Sequence, residues 1–190
     1  DETFSQHPGA RMKAVFIGCV DLSYALLERL LELDGIELAG VVTRKESGFN
    51  ADFRSLEPLA KDAGVPCLNV DGNDQEGMTA WIGEIGPDVV FCFGWSYLLG
   101  PEILAIPRDG VIGYHPALLP KNRGRHPIVW ALVLGLEETG STFFIMDENA
   151  DTGDIVSQQR IPISDTDDAA SLYVKLSDDA AGQLEEIVTG

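Results

Sequence analysis

Positive charge is what this sequence has least of. Thirteen Lys and Arg face 31 Asp and Glu over 190 residues, a formal charge of -18. A field of that sign repels polyphosphate backbones and disfavours nucleic acid as a partner. Cysteine is scarce as well: Cys19, Cys67 and Cys92 stand far apart, odd in number, with no CxxC pair and each in an apolar stretch. That pattern argues against a disulfide framework and makes the reducing cytoplasm the expected compartment. No apolar run approaches the ~18 residues that cross a bilayer, so no membrane partner is expected. The three histidines are scattered, which leaves no plausible metal site. Residues 1–11 are polar and lack the hydrophobic stretch of a secretory signal. Met12 directly precedes the first strand-like run, so 1–11 read as a disordered extension or an added remnant before one domain over 12–190.

What is present is ordinary for a globular chain: 45% apolar and 23% charged residues. KAVFIG (13–18) has the β-branched, non-alternating character of a buried strand. Leu22, Ala25, Leu26, Leu30 and Leu31 then recur at helical spacing, with Asp21 or Ser23 as the cap. Further strands are expected at 36–43, 65–70, 87–95 and 111–116, with helices over about 53–63 and 74–85. Strands alternating with helices in this way imply right-handed crossovers and a mostly parallel sheet covered on both faces. After a helix over 126–134 the pattern changes. Strands at 141–148 and 154–164 are joined by a tight Asn/Asp/Gly turn, which forces antiparallel pairing. An acidic-started amphipathic helix over 167–188 follows. The expected fold is α/β: a Rossmann-like three-layer sandwich, mostly parallel, with a C-terminal antiparallel hairpin.

A strand, a glycine and a helix invite a dinucleotide reading, but GCVDLSYA holds one glycine, Gly18, where the fingerprint requires three. The second strand ends in Thr43 and Arg44 rather than in an acid for a ribose hydroxyl. The helix start after Gly18 is either an anion subsite for substrate or a tight turn with nothing bound.

Residues 111–154 carry most of the functional signal. His115 ends a strand where open parallel sheets place ligands, and Pro116 and Pro120 bracket the loop beyond it. A single histidine is often structural, but its location favours a role in chemistry. Asp151 lies 36 residues on in ADTGD, as a turn former or as a partner carboxylate. KNRGRHP places Arg123 and Arg125 in a locally basic cluster that either grips an anion or caps carbonyls in solvent.

The stretch VIGYHPALLPKNRGRHPIVWALVLGLEETGSTFFIMDENADTGDIV resembles the folate-dependent formyltransferases: glycinamide ribonucleotide transformylase, methionyl-tRNA formyltransferase and the nucleotide-sugar N-formyltransferases. Their shared pattern is N-x-H-P-S-L-L-P, a basic R-G segment, T-G-x-T and D-x-G. More weakly, the resemblance runs from Met12 to the last helix. It implies 10-formyltetrahydrofolate as formyl donor, a primary amine as acceptor and no metal. It assigns His115 to oxyanion stabilisation and proton transfer, Asp151 to supporting the imidazole or a relay water, and Thr142 to holding the pair. One departure stands out: the family asparagine two residues before the histidine is Gly113. Either another group replaces it, the Gly113 N–H or an amide from Asn122 or Asn149, or the acceptor chemistry differs, or the chain is a binding pseudoenzyme. The resemblance places the donor at Phe93, Gly94, Trp95, Tyr97, Leu98 and Leu99, with Leu104 and Val111 as apolar wall. Asp147 to Ala150 line the far side through their main chain. In the alternative, Trp95, Tyr97 and Leu98 pack under the sheet edge. FGWSYLL and LLPKNRGRHPIVWAL look closest to enzymes that formylate a nucleotide-linked amino sugar, with Arg123 and Arg125 on its phosphate or carboxylate. A methionyl-tRNA-type domain is the alternative. A homodimer stays open, since no residue pattern fixes the oligomeric state.

Overall fold

The four central strands are buried on both faces, and this explains their unbroken apolar runs. In the computed structural model, which describes residues 11–46, 48 and 51–190, β1 (Met12–Ile17) sends Ala14 and Phe16 to one face and Val15 and Ile17 to the other. Seven strands form one sheet in the order β3-β2-β1-β4-β5-β6-β7. β2 (Ile36–Thr43), β3 (Cys67–Asn69), β4 (Val89–Cys92) and β5 (Val111–His115) run parallel to β1. β6 (Glu138–Ile145) is antiparallel to both β5 and β7 (Ile155–Pro162). The α/β three-layer architecture read from the sequence is the one observed.

α1 (Asp21–Glu32), α2 (Glu57–Asp62) and α6 (Ala169–Thr189) cover the face that holds Phe16, Phe91, Phe93 and Phe143. α3 (Gln75–Ile85) and α4 (Pro101–Leu104) cover the other, through Met78, Ile82 and Ile103. α5 (Pro127–Val133) crosses from β5 to β6 and packs Ile128 and Leu132 on Leu172 and Leu176.

Several expectations need correction. α1 is capped at Val20, with Asp21 its first residue; Ser23, three residues on, accepts from the Val20 N–H and donates to the Phe93 carbonyl. Val20 also bridges to Phe53, in the segment between β2 and α2. β6 begins three residues before the expected 141 and ends at Ile145. The link from β6 to β7 is therefore the nine-residue loop 146–154. α2 and β4 are shorter than expected, and the four-residue α4 was not expected at all. Apart from Arg11, the expected N-terminal extension lies outside the described residues. No helix of the described residues is long and apolar enough to cross a membrane.

Candidate active site

β5 carries His115 to the carboxyl edge of the parallel strands, and the 146–154 loop brings Asp151 back to it. His115 Nδ1 lies 3.6 Å from Asp151 Oδ1, the histidine side chain 7% exposed and the aspartate 20%. The other ring nitrogen, Nε2, is 2.9 Å from the Asn122 carbonyl, so both imidazole nitrogens face acceptors. Asp151 sits in the left-handed region at φ 55° and is fixed from two sides. Its Oδ2 accepts from the Gly124 N–H at 3.1 Å, and its carbonyl accepts from Arg123 Nε at 2.9 Å. Gly153 lets the loop close: a Cβ there would stand 1.5 Å from the Ile145 carbonyl oxygen.

Thr142 pairs with His115 across the β5–β6 ladder, but its hydroxyl is turned to other partners than the imidazole. Its buried hydroxyl donates to the Ala117 carbonyl at 2.7 Å and accepts from Gln158 Nε2 at 2.9 Å. Gln158 also donates to the Leu119 carbonyl at 3.0 Å. Thr142 and Gln158 thus hold the loop that leaves His115. Nothing in the sequence singled out Gln158; its position opposite Thr142 becomes visible only with the β6–β7 register.

Gly113 does not replace the missing amide. It lies inside the sheet between Cys92 and Phe144, where main-chain groups serve the ladders. A Cβ on it would meet Met146 Cγ at 2.8 Å and Phe144 Cζ at 3.0 Å. Asn122 turns its carbonyl to His115, and the Asn149 N–H caps Asp147 Oδ1 at 2.8 Å. The Thr152 hydroxyl joins that cap at 2.5 Å and, more than the Asn149 N–H, holds the Asp147 carboxyl below the usual range.

Gly18 is likewise no anion contact. Its N–H donates to the Val42 carbonyl, and the amides of Val20, Asp21 and Leu22 go to Ser23, Asp52 and the Tyr173 hydroxyl. The glycine is required by packing, since a Cβ would lie 2.5 Å from the Phe93 carbonyl oxygen.

The expected donor residues divide in two. Phe93, Leu99 and Val111 are buried in the core, Phe93 edge-on to both Phe16 and Phe143 with ring centroids 5.4 Å apart. Their side chains support the site from beneath. Gly94, Trp95, Tyr97 and Leu104 are half-buried, and Leu98 is exposed. The Trp95 Nε1–H is buried without a hydrogen-bond partner. Asp147 and Ala150 are exposed on the opposite loop. Beyond Asn122, a hollow of about 240 Å³ is lined by Arg123, Arg125, Pro127, Trp130 and Leu134. The Arg123 Nε–H is committed to Asp151, while Arg125 is exposed beside the hollow.

A buried imidazole held by a carboxylate at the carboxyl edge of a doubly covered sheet is the equipment of an acid–base catalyst. The chain belongs to the formyl transferase family, which residues 25–188 match. A methionyl-tRNA formyltransferase of Caldanaerobacter subterraneus subsp. tengcongensis is 35% identical over 181 residues, covering 92% of this chain and 58% of the relative. The chain thus spans less than two-thirds of that protein's length. Glycinamide ribonucleotide transformylase 1 from Symbiobacterium toebii superposes with a TM-score of 0.81 at 21% identity, over 95% of this chain and 87% of the other. Formyltetrahydrofolate deformylase from Pseudomonas syringae pv. tomato gives 0.77 at 21% identity, over 95% and 61%. These two structures share the fold.

Proposed function

We propose that this chain moves a formyl group from 10-formyltetrahydrofolate to a primary amine carried on a nucleotide-linked amino sugar, in the cytoplasm. The observation that carries this reading is the His115–Asp151 pair, 3.6 Å apart beside a loop with an unpartnered Trp95 N–H. The donor supplies an activated formyl carbon; all else falls to the protein. In this reading the loop from Gly94 to Leu99 and the segment Asp147–Ala150 offer main-chain groups to a flat heterocycle. His115 shares a proton with the reacting groups, Nδ1 held toward Asp151, and donates to the developing oxyanion once Nε2 leaves the Asn122 carbonyl. With Gly113 offering no amide, His115 carries that stabilisation without the help an asparagine gives. One such donor is worth about 10²–10³ in rate.

On the acceptor side, Arg125 beside Trp130 fits a phosphate next to a flat base. A second reading, formylation of a charged tRNA, is favoured by the 35% identical relative; the charge of -18 opposes it. Incubation with 10-formyltetrahydrofolate and either amino-sugar nucleotides or methionyl-tRNA separates them. Tetrahydrofolate released together with a formylated sugar is the expected result. Formyl-methionyl-tRNA would establish the second reading, and formate without an acceptor would mean hydrolysis. Tight folate binding without product would mean a pseudoenzyme.

A further inference from the structure

α5 is apolar on every side, yet only one side of it is enclosed by the protein. PIVWALV (127–133) is apolar at every position. A helix of that composition is normally buried all round. Ala131 is buried, and Ile128 and Leu132 pack on Leu172 and Leu176 of α6. The outer side has no such cover: Val129 is 50% exposed, Trp130 54%, Val133 67% and Leu134 58%. Four of the eight large apolar side chains exposed among the described residues thus fall within six consecutive positions. They form two ridges at i, i+4 spacing, Val129 with Val133 and Trp130 with Leu134. Together they offer roughly 400 Å² of surface, the size at which an exposed apolar patch marks an interaction site. A standard protein interface takes about 800 Å² from each partner, a little over half of it apolar, so the patch supplies the apolar part of one such face.

Charge identifies what covers it. Residues 110–136 hold none of the chain's 31 acids and form its longest acid-free stretch, with Lys121, Arg123 and Arg125 inside it. Elsewhere one copy repels another, since each carries a formal charge of -18. The α5 face is where two such bodies approach with least repulsion. Complementary groups also bracket the stripe. Arg125 before α5 and Glu137 after it are both exposed, and neither has an ion-pair partner among the described residues. An antiparallel pairing about a two-fold axis lets Arg125 meet the partner's Glu137. The acceptor hollow does not account for this face, because it takes in Trp130 and Leu134 but neither Val129 nor Val133.

We infer that α5 is the interface of a homodimer, its outer side packed on the same side of a second copy of this chain. The ridges of each copy seat in the groove between the ridges of the other. The inference does not depend on which amine the chain formylates.

Sedimentation velocity of the whole chain at micromolar concentration, in low and in high salt, tests it. A dimer is expected, and it should tighten by roughly tenfold between about 0.05 and 0.5 M salt, because screening removes the repulsion between two anionic bodies. Val133→Lys, at the most exposed of the four positions, should weaken the dimer by about 100-fold, since two-fold symmetry buries the new charge twice. In dilute solution, where both proteins are monomers, its thermal unfolding should match that of wild type. Val174→Lys, at a 58% exposed position on α6, should leave the dimer intact. A wild-type chain that stays monomeric in high salt overturns the inference. So does a dimer that survives Val133→Lys, is lost in Val174→Lys or dissolves as salt is added. A monomer that floats with phosphatidylglycerol vesicles would assign the face to an anionic bilayer and equally overturn the dimer.

Discussion

The two halves of the sheet edge differ in how their polar groups are satisfied. On the β5–β7 side nearly every group is matched within the protein: His115 by Asp151 and Asn122, Asp151 by Gly124 and Arg123, Thr142 by Ala117 and Gln158. On the β1–β4 side, Arg44 and Trp95 keep buried donors unmatched. The antiparallel half is organised by the protein's own groups, as the proposed proton transfer requires if it is not to reorganise during reaction. The parallel half keeps donors that the protein's own groups do not match.

The sharpest way to break that contrast is to disable the satisfied half. His115→Ala or Asp151→Asn should each lower kcat by about 10²–10⁴-fold, the usual contribution of a positioned acid–base group, while folate affinity measured by fluorescence stays within a few-fold. Near-normal turnover in either variant would remove that residue from its role. Gly113→Asn restores the family pattern but drives a side chain into Met146 and Phe144. Overpacking of this kind costs about 1–3 kcal/mol. The melting temperature should drop by about 3–9 °C, and Met146→Ala in the same chain should recover part of the loss. Gln158→Leu removes both bonds to the loop beyond His115 and should reduce kcat by about tenfold through looser placement, with KM for the donor little changed.

The smallest effect concerns pH. The Lys175 ammonium, together with hydrogen bonds from Ser164 and Ser171, holds the Asp167 carboxyl well below the usual range. A carboxyl more acidic in the folded than in the unfolded chain adds stability above the unfolded pKa, near pH 4. That stability is lost as pH falls through the folded value. Unfolding curves of Asp167→Asn should therefore run below wild type at neutral pH and converge with it in strong acid.

Particular elements show where sequence was sufficient. IELAGVVT reads as a strand over 36–43 and is one, because a doubly buried strand leaves an unbroken apolar run bounded by turn residues. His115 and Asp151 were legible through motif order, and the fold joins them. Ser23 and Gln158 were not, since the partners that give them meaning, Phe93 and Thr142, arrive from 70 and 16 residues away. α4 escaped notice because four residues behind a proline carry no periodicity. Gly18 was open between an anion subsite and a tight turn with nothing bound; the Phe93 carbonyl and Ser23 occupy the space beside it.

The arginines stand as small cationic wells on a strongly anionic body, and this shapes how ligands arrive. At 0.15 M salt the repulsive far field decays over about 8 Å, so an incoming carboxylate or phosphate meets a barrier first and a trap only at short range. Dilute buffer should slow encounter and added electrolyte hasten it, the opposite of the usual steering of anions into basic clefts. Capture kinetics would then be fastest in brine-like media.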